Sequence, residues 1–320
     1  MSEDETTLAD LSAARKRFLS LVEDIRPDLH RYCARMVGSV MDGEDIVQDA
    51  LARAYYELSA LKQLPALRAW LFRIAHNRAL DYLRRYDHRM REPLDAALDV
   101  AADTALNPED NLIRDEELHA TLSRFLELPP AQRSCVILKD VLGYSLDEVS
   151  DMLDLTVPAV KAALHRGRSR LREHSAETTT RMRSPRTISP TLARYADLFN
   201  ARDWDAVRAM LVDEVKLDLV SRERRYGRRD FEVYFTNYGR WSGWHMIPGW
   251  VDGREALIVV CEPPAAPRRY FVQVTCVGDR IAEIRDFIHV PYISEDATVE
   301  TENPGICTNT STNVIARLTE

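Results

Sequence analysis

The side chains of this chain that are best suited to bind nucleic acid lie in the stretch Leu67–Arg85. At about 100° per residue, this stretch forms an amphipathic helix whose apolar residues share one side. The opposite side carries Arg73, His76, Asn77 and Arg84. Residues 65–91 hold seven Arg against two Asp, in a chain whose formal net charge is -8. Guanidinium groups bind phosphates and aromatic rings stack on unpaired bases, so the pattern predicts contact with a single strand. A solvated face on a core helix is the alternative.

Length and composition indicate a multidomain protein without disulfides or bound metal. The chain has 320 residues, which is enough for two or three domains. Its five cysteines include no CxxC pair, which argues against a disulfide framework and a zinc site and for a reducing cytoplasm. No apolar run is long enough to span a bilayer, and the acidic N-terminus does not have the pattern of a secretory signal. We therefore expect a cytoplasmic protein with no membrane association, no cofactor and no metal.

A second predicted helix, opening at Asp42–Gly43, presents acidic side chains. Ile46, Ala50 and Ala54 share its inner side. The outward side chains are Asp45, Gln48, Asp49 and Arg53. Such a carboxylate cluster could hold a metal ion, but no histidine and no convergent spacing supports this reading, so a metal site is disfavoured.

The segment 92–117 has the composition of an acidic linker. It carries nine acidic residues against Arg114, together with Pro93 and Pro108 and few large apolar side chains. Such a segment cannot bury enough apolar surface to fold by itself. It is either a simple tether or a strand that occupies a channel built for nucleic acid.

A helix-turn-helix is predicted between residues 131 and 173. The first long helix is Ala131–Leu142, and Ser145 and Glu148 form a capping box that opens a short helix through Leu153. A second helix follows, capped by Thr156. Its basic residues are Lys161, Arg166, Arg168, Arg170 and Arg172. Two short helices joined by a tight turn, the second of them basic, favour DNA binding, although a three-helix packing unit remains an alternative.

Three of these stretches, 42–54, 67–85 and 128–173, resemble regions 2 and 4 of a group IV, extracytoplasmic-function sigma-70 factor. The resemblance covers roughly residues 15–175. It implies two all-α domains: a region 2 helical bundle at 15–91 and a region 4 helix-turn-helix at 118–174, joined by the acidic linker 92–117. It also implies that the chain binds core RNA polymerase and promoter DNA and is not an enzyme.

The resemblance implies a role for each exposed face. Asp45, Gln48, Asp49 and Arg53 would contact core polymerase, at the clamp helices of the beta-prime subunit, and the beta subunit is a further expected partner. The expected minus-10 residues are Arg73, His76, Asn77, Asp81, Arg84 and Arg85. The expected minus-35 residues are Lys161, His165, Arg166 and Arg168. The frequent family pattern K-S-R-L-H-R is K-A-A-L-H-R here, so Ala163 replaces an arginine and contact with phosphates rather than bases is expected.

The C-terminal part has a different pattern. A helical pair at Thr191–Leu211 precedes four strand-like stretches, Val215–Val220, Ala256–Glu262, Arg269–Val277 and Ile281–Val290. The sequences FNARDWDAV and EIRDFIHVPY and the element order resemble the SnoaL-like, nuclear-transport-factor-2-like cone, here residues 190–295. The predicted fold class is therefore multidomain: two all-α sigma domains followed by an α+β SnoaL-like cone, with a flexible tail at 296–320.

A cone of this kind can enclose a pocket, and the sequence contains candidate residues to line it. They are Asp218, Tyr234, Trp241, Trp244, His245 and Asp286, with His289 and Trp250 as further possibilities. A pocket filled by its own aromatic side chains, a ligand-binding or protein-contact module, and a catalytic site are the three alternatives.

The sequence as a whole predicts a sigma factor that binds core RNA polymerase and directs promoter recognition and opening, regulated in cis by its C-terminal domain. The alternative is a two-part transcription regulator whose SnoaL-like domain binds or turns over a small molecule. A separate anti-sigma protein is a possible partner but is not required.

Overall fold

The computed structural model describes residues 3–57, 67–91, 122–175, 186–240, 243–261 and 268–302. The chain divides into two compact units, a helical unit at Met1–Arg181 and an α+β unit at Met182–Ser311. The predicted acidic linker at 92–117 and the end of the predicted tail, from residue 303, lie outside the described residues.

Three long helices form the first part of the helical unit. They are α1 (Glu3–Val37), α2 (Val40–Glu57) and α3 (Leu67–Arg91). The second helix begins at Val40, earlier than the predicted Asp42–Gly43, because the Ser39 hydroxyl accepts a hydrogen bond from the Asp42 backbone N–H (3.2 Å). Gly43 lies inside α2, where an added Cβ would be 2.7 Å from the Ala34 backbone. The glycine therefore permits a close approach of α1 and α2.

Four helices and a π-helical turn form the second part. They are α4 (Leu122–Leu126), α5 (Pro130–Val136), the π turn Ile137–Val141, α6 (Leu146–Leu153) and α7 (Val157–Ser175). Both hydrogen bonds of the predicted capping box between Ser145 and Glu148 are present (2.8 and 3.2 Å). Asp154 adopts a left-handed conformation (φ 56°) and turns the chain into α7. The helix-turn-helix is confirmed, but the helix predicted at Ala131–Leu142 is α-helical only as far as Val136.

One continuous apolar core joins the two parts of the helical unit. Its buried members come from α1, α2 and α3 on one side and from residues 125–164 on the other, and include Leu29, Tyr32, Val47, Phe72, Phe125, Val136, Leu138 and Val160. Burial of apolar surface is the main favourable contribution to folding, so this shared core holds the two parts together.

The α+β unit begins with two helices and continues into a mixed sheet. Its helices are α8 (Pro190–Asn200), α9 (Trp204–Ala209), α10 (Phe231–Arg240) and α11 (Ile293–Asp296). Its strands are β1 (Leu211–Leu219), β2 (Glu223–Tyr226), β3 (Trp244–Val251), β4 (Arg254–Cys261), β5 (Arg268–Val277), β6 (Arg280–Asp286) and β7 (Val299–Thr301). The strand order is β2-β1-β6-β5-β4-β3-β7, and every neighbouring pair is antiparallel except β1 and β6. The predicted fold class, helical domains followed by a helix-then-sheet region, is confirmed.

The C-terminal boundary of the α+β unit and part of its sheet differ from the prediction. The sheet continues past Glu295, because β7 pairs with β3 and so brings residues 296–302 of the predicted tail into the fold. The strand β3 itself was not predicted. It contains Pro248 and Gly249, two residues that are unfavourable inside a strand. Gly249 is required at that position, because an added Cβ would be 2.3 Å from the Glu300 carbonyl oxygen of β7.

None of the helices in the described ranges of the chain is both long enough and apolar enough to span a bilayer.

Candidate nucleic-acid and polymerase-binding surfaces

The helix α3 presents a polar ridge along its exposed side. Arg73, Asn77, Asp81 and Arg84 follow one another at spacings of four, four and three residues, which places them on one face of a helix. Of the predicted minus-10 residues, Arg73, Asn77, Arg84 and Arg85 are exposed. Arg84 donates a hydrogen bond to the Asp81 carboxylate (2.9 Å), so the acid orients the guanidinium group without covering it.

His76 has a different environment from the other predicted minus-10 residues. The Tyr32 hydroxyl lies 2.6 Å from its Nδ1 atom, and the two rings are tilted against each other. Burial lowers the pKa of His76 to about 4, so the imidazole is neutral at physiological pH. The structure therefore places His76 in the packing between α1 and α3, beside the exposed ridge but not on it.

The predicted polymerase-binding residues lie along one side of α2. Asp49 and Arg53 are exposed, whereas Asp45 and Gln48 are half-buried. The Asp49 carboxylate is 3.1 Å from the Arg78 Nε atom of α3, and Arg53 pairs with Glu57 (2.7 Å). Tyr56, to which the sequence analysis assigned no role, lies one turn after Arg53 with 79% of its surface exposed. An exposed ring of this size next to a charged face is a frequent component of protein-binding surfaces.

The helix α7 exposes the four predicted minus-35 residues, Lys161, His165, Arg166 and Arg168. Ala163 is only 4% exposed and packs with Val160 and Leu164 in the apolar core. Ala163 therefore faces the apolar core, and contact of α7 with phosphates rather than bases stays a prediction.

Arg168 is held by a carboxylate of the same unit. Its Nε and Nη2 atoms donate to the two oxygens of Asp140 (2.9 and 2.5 Å), and Asp140 lies in the π turn. The bidentate hydrogen bond raises the pKa of Arg168 and fixes α7 against the π turn. Arg168 thus already has a carboxylate partner within the helical unit.

In the α+β unit, a buried carboxylate lies among tyrosines. Asp286, at the end of β6, is fully buried and accepts hydrogen bonds from the Tyr234 and Tyr238 hydroxyls (2.9 and 2.7 Å) and the Ile288 backbone N–H (2.9 Å). Burial raises the pKa of Asp286 to about 6, although these hydrogen bonds act in the opposite direction. The Tyr238 hydroxyl is also 2.8 Å from the Tyr270 hydroxyl.

Only some of the predicted pocket residues converge. Tyr234, Trp244 and Asp286 meet around Tyr238, whose backbone carbonyl accepts a hydrogen bond from the Trp244 indole (3.0 Å). Asp218 instead lies 3.5 Å from both Arg224 and Arg285, and His245 is exposed beside the buried Trp244 and Met246. Trp241 lies outside the described residues. Tyr238 was missed, although its spacing of four residues from Tyr234 on a helix was a usable signal.

Within the ranges that the structure describes, no group of three or more His, Cys, Asp or Glu side chains is arranged to hold a metal ion.

Comparison with known families gives two matches, both in the helical unit. Residues 21–89 match sigma-70 region 2, and residues 118–171 match sigma-70 region 4. The first match contains α2 and most of α3, and the second contains α6 and most of α7.

Two characterised proteins are similar to this chain in sequence. The ECF RNA polymerase sigma factor SigW of Bacillus subtilis (strain 168) is 32% identical over 164 residues, which are 49% of this chain and 87% of SigW. The ECF RNA polymerase sigma factor SigG of Mycobacterium tuberculosis (strain CDC 1551 / Oshkosh) is 30% identical over 275 residues, 77% of this chain and 66% of SigG. An alignment of 275 residues is longer than the helical unit, so this similarity extends into the α+β unit.

Among solved structures, a putative polyketide cyclase from Sinorhizobium meliloti aligns with 31% of this chain and 94% of its own length, at 17% sequence identity and a TM-score of 0.27.

Proposed function

Because the chain belongs to the ECF RNA polymerase sigma factors, we propose that three of its helices have separate roles in initiation. The helix α2 binds polymerase, α3 opens the promoter and α7 contacts the upstream promoter element. The chain acts in transcription initiation. Its partners are core RNA polymerase and promoter DNA, and its place is accordingly the cytoplasm. Its relatives are sigma factors, which are not enzymes, and we assign it no catalytic residue.

The polymerase-binding surface that we propose is the exposed side of α2, with Asp49 and Arg53 at its centre and Asp45 and Gln48 at its edge. Its partner is the beta-prime clamp helices. Charged side chains of both signs along one helix face set the register of such a contact and speed association more than they add affinity.

The observation that carries the promoter-opening proposal is the polar ridge of α3. Arg73, Asn77, Arg84 and Arg85 are exposed on a helix whose other side is buried in the core. Arginines on such a ridge hold the phosphates of a separated strand, and an amide can both donate to and accept from an unpaired base. On α7, Lys161, His165 and Arg166 supply the upstream contact.

We further propose that the α+β unit regulates the sigma unit in cis. The support is that both lie on one chain and that similarity to SigG extends into the α+β unit. Residues 175–190 have the polar, proline-containing composition of a linker. A short flexible tether holds a module at an effective concentration on the order of mM, so weak contacts suffice for regulation.

The test uses Asn77→Ala and Arg84→Ala in the full chain. Each variant should bind core polymerase normally in a pull-down but reduce open-complex formation at least about fivefold, since loss of one polar contact to a base costs about 1–3 kcal/mol. Permanganate footprinting of the melted strand measures the opening. Arg229→Ala, which removes an exposed arginine of the α+β unit, is the matched control and should not change the footprint.

Unchanged footprints for both α3 variants would show that α3 does not take part in promoter melting. The alternative, a two-part regulator, is not favoured by the sigma-factor relatives. It predicts that the chain binds its promoter without core polymerase, which the same pull-down and footprint would reveal.

A further inference from the structure

The side of α7 that lies opposite the apolar core carries a defined row of residues. Val160 and Leu164 are buried in the core of the helical unit. At about 100° per residue, four residues of α7 lie within about 40° of the direction opposite to Val160. We call them the outer stripe: Pro158, Ala162, His165 and Ser169. The exposed side of a recognition helix lies in the major groove, so the outer stripe is the part of α7 nearest to the base edges.

Cationic side chains lie on both flanks of the outer stripe. Lys161 and Arg172 lie on one flank and Arg166 and Arg170 on the other, and all four are exposed. The major groove is about 12 Å wide, so a helix inside it has a phosphate backbone on each side. Cations on both flanks can therefore reach the two backbones. If the basic side chains of α7 bind phosphates, as predicted, recognition of bases is left to the outer stripe.

The N-terminal half of the outer stripe is apolar. Pro158 is exposed and Ala162 is partly exposed, and neither has a polar side-chain atom. Pro158 also lacks a backbone N–H. The Thr156 hydroxyl accepts a hydrogen bond from the Ala159 backbone N–H (3.4 Å), which directs this hydroxyl to the cap of α7. The first turns of a recognition helix approach the bases most closely. At this end, the outer stripe therefore offers a base an apolar contact instead of a hydrogen bond.

Thymine is the base that presents an apolar group in the major groove. Its C5-methyl group lies at the groove edge, where a small apolar side chain such as alanine contacts it. Ala162 and Ala163 are adjacent in the sequence but differ in this respect. Ala163 is 4% exposed and packs in the core, whereas Ala162 lies on the outer stripe. Only the first of these two alanines is placed to contact a base.

We propose that Ala162 is a specificity-determining residue of the upstream contact and that it recognises a thymine through the 5-methyl group. Pro158 extends the same apolar surface, about 6 Å away along the helix axis. The flanking cations bind a duplex of any sequence, and the apolar contact adds a preference for one base. This inference rests on the proposed function of α7 and names the base that its upstream contact selects.

Selection from two matched duplex libraries tests the proposal. Both are randomised across the promoter region, but one is made with thymine and the other with uracil, which pairs with adenine in the same way and lacks the methyl group. Holoenzyme formed from the full-length chain and core polymerase should enrich a T·A pair upstream in the first library and should not enrich U·A there in the second. In a selected duplex, uracil at that position should weaken binding about threefold to fourfold, the value of burying one methyl group.

Ala162→Gly assigns this preference to α7. The variant lacks the contacting methyl group but keeps the flanking cations. Glycine also weakens the helix, so the readout is the ratio of the affinities for the thymine and uracil duplexes, in which a general loss of binding cancels. The ratio should fall to about one. Ala159→Gly is the matched control, because it makes the same change on a flank of α7 and should keep the wild-type ratio.

Two results would overturn the proposal: a wild-type ratio near one at every enriched upstream position, or equal ratios for Ala162→Gly and Ala159→Gly. Failure of the proposed function reads differently. The holoenzyme would then enrich no upstream sequence from either library, whereas failure of this inference alone would leave the same upstream sequence enriched in both.

Discussion

Arg166 and Arg168 lie two residues apart on α7 but have different surroundings. Arg168 forms a bidentate pair with Asp140, whose side chain is 8% exposed, whereas the structure assigns Arg166 to the exposed face. A guanidinium group that already satisfies a carboxylate would have to leave it in order to neutralise a phosphate. We therefore expect Arg168 to position α7 and Arg166 to bind DNA.

This difference predicts that some substitutions on α7 weaken DNA binding and that others lower thermal stability. Lys161→Gln and Arg166→Gln should each reduce the slope of log K against log salt by about one, measured as holoenzyme binding to a duplex with the upstream element. Arg168→Gln should leave that slope nearly unchanged. It should instead share with Asp140→Asn a loss of thermal stability of about 1 kcal/mol or less, since Arg168 is 44% exposed. A full unit of slope lost in Arg168→Gln would make it a phosphate-binding residue.

Asp286 makes the stability of the α+β unit depend on pH. Its pKa is about 6 in the folded chain against 3.8 for the free side chain, so the folded state binds more protons between these values. The contribution of Asp286 to stability is then fully present below about pH 4 and is lost as pH rises through about 6, by about 3 kcal/mol in total. Asp286→Asn should flatten this part of the pH profile in chemical denaturation followed by tryptophan fluorescence.

Asp205→Asn is the control for this measurement, because Asp205 is 91% exposed in the same unit. Its profile should follow the wild type. An unchanged slope in Asp286→Asn would mean that the carboxylate is not the group responsible.

At the scale of elements, the contact between α1 and α2 depends on Gly43. An added Cβ would lie 2.7 Å from backbone atoms of Ala34, and backbone cannot rotate away as a side chain can. Gly43→Ala should therefore destabilise the helical unit by about 1–3 kcal/mol, measured by thermal unfolding. Gly239→Ala, inside α10, places its Cβ 3.5 Å from Trp204 and should be neutral or slightly stabilising. Equal stability of the two variants would contradict the close helix contact.

Sequence patterns predicted elements best where local chemistry alone determines them. The capping box at Ser145 and the buried face of α3 follow from spacing, and both are present. The helix α10 was missed, although Phe231, Tyr234, Phe235 and Tyr238 have helical spacing, because its aromatic residues also suit strands. The strand β3 was missed because Gly249 is explained only by the approach of β7, some fifty residues later in the chain.

In the candidate sites too, features set by local sequence could be predicted and features set by distant residues could not. Exposure of Arg73, Asn77 and Arg84 follows from helical periodicity, so it could be predicted. The pairing of His76 with Tyr32 joins positions 44 apart, and that of Arg168 with Asp140 joins positions 28 apart. No local pattern contains such partners, because they are set by tertiary packing.

At the scale of the whole molecule, the cis-regulation proposal predicts different effects for two truncations. A chain that ends at Ser175 lacks the α+β unit and should transcribe severalfold more than the full chain at limiting core polymerase, since its restraint is gone. A chain that ends at Glu302 keeps β7 in the sheet and isolates the contribution of the last 18 residues. Multi-round in vitro transcription at equal protein concentrations measures both. Identical activity of all three chains would leave the α+β unit without a regulatory role.

The position of β7 has a consequence for biosynthesis. The sheet cannot be completed until Val299–Thr301 has left the ribosome, because β7 is the outer neighbour of β3. All the described helices of the helical unit have been translated by Arg181. At about 5–20 residues per second, the remaining 120 residues up to Thr301 take on the order of ten seconds. Every newly made chain therefore passes through an interval in which its helices can fold while its sheet is still incomplete. The speed of translation determines for how long the helical unit exists without a complete α+β unit.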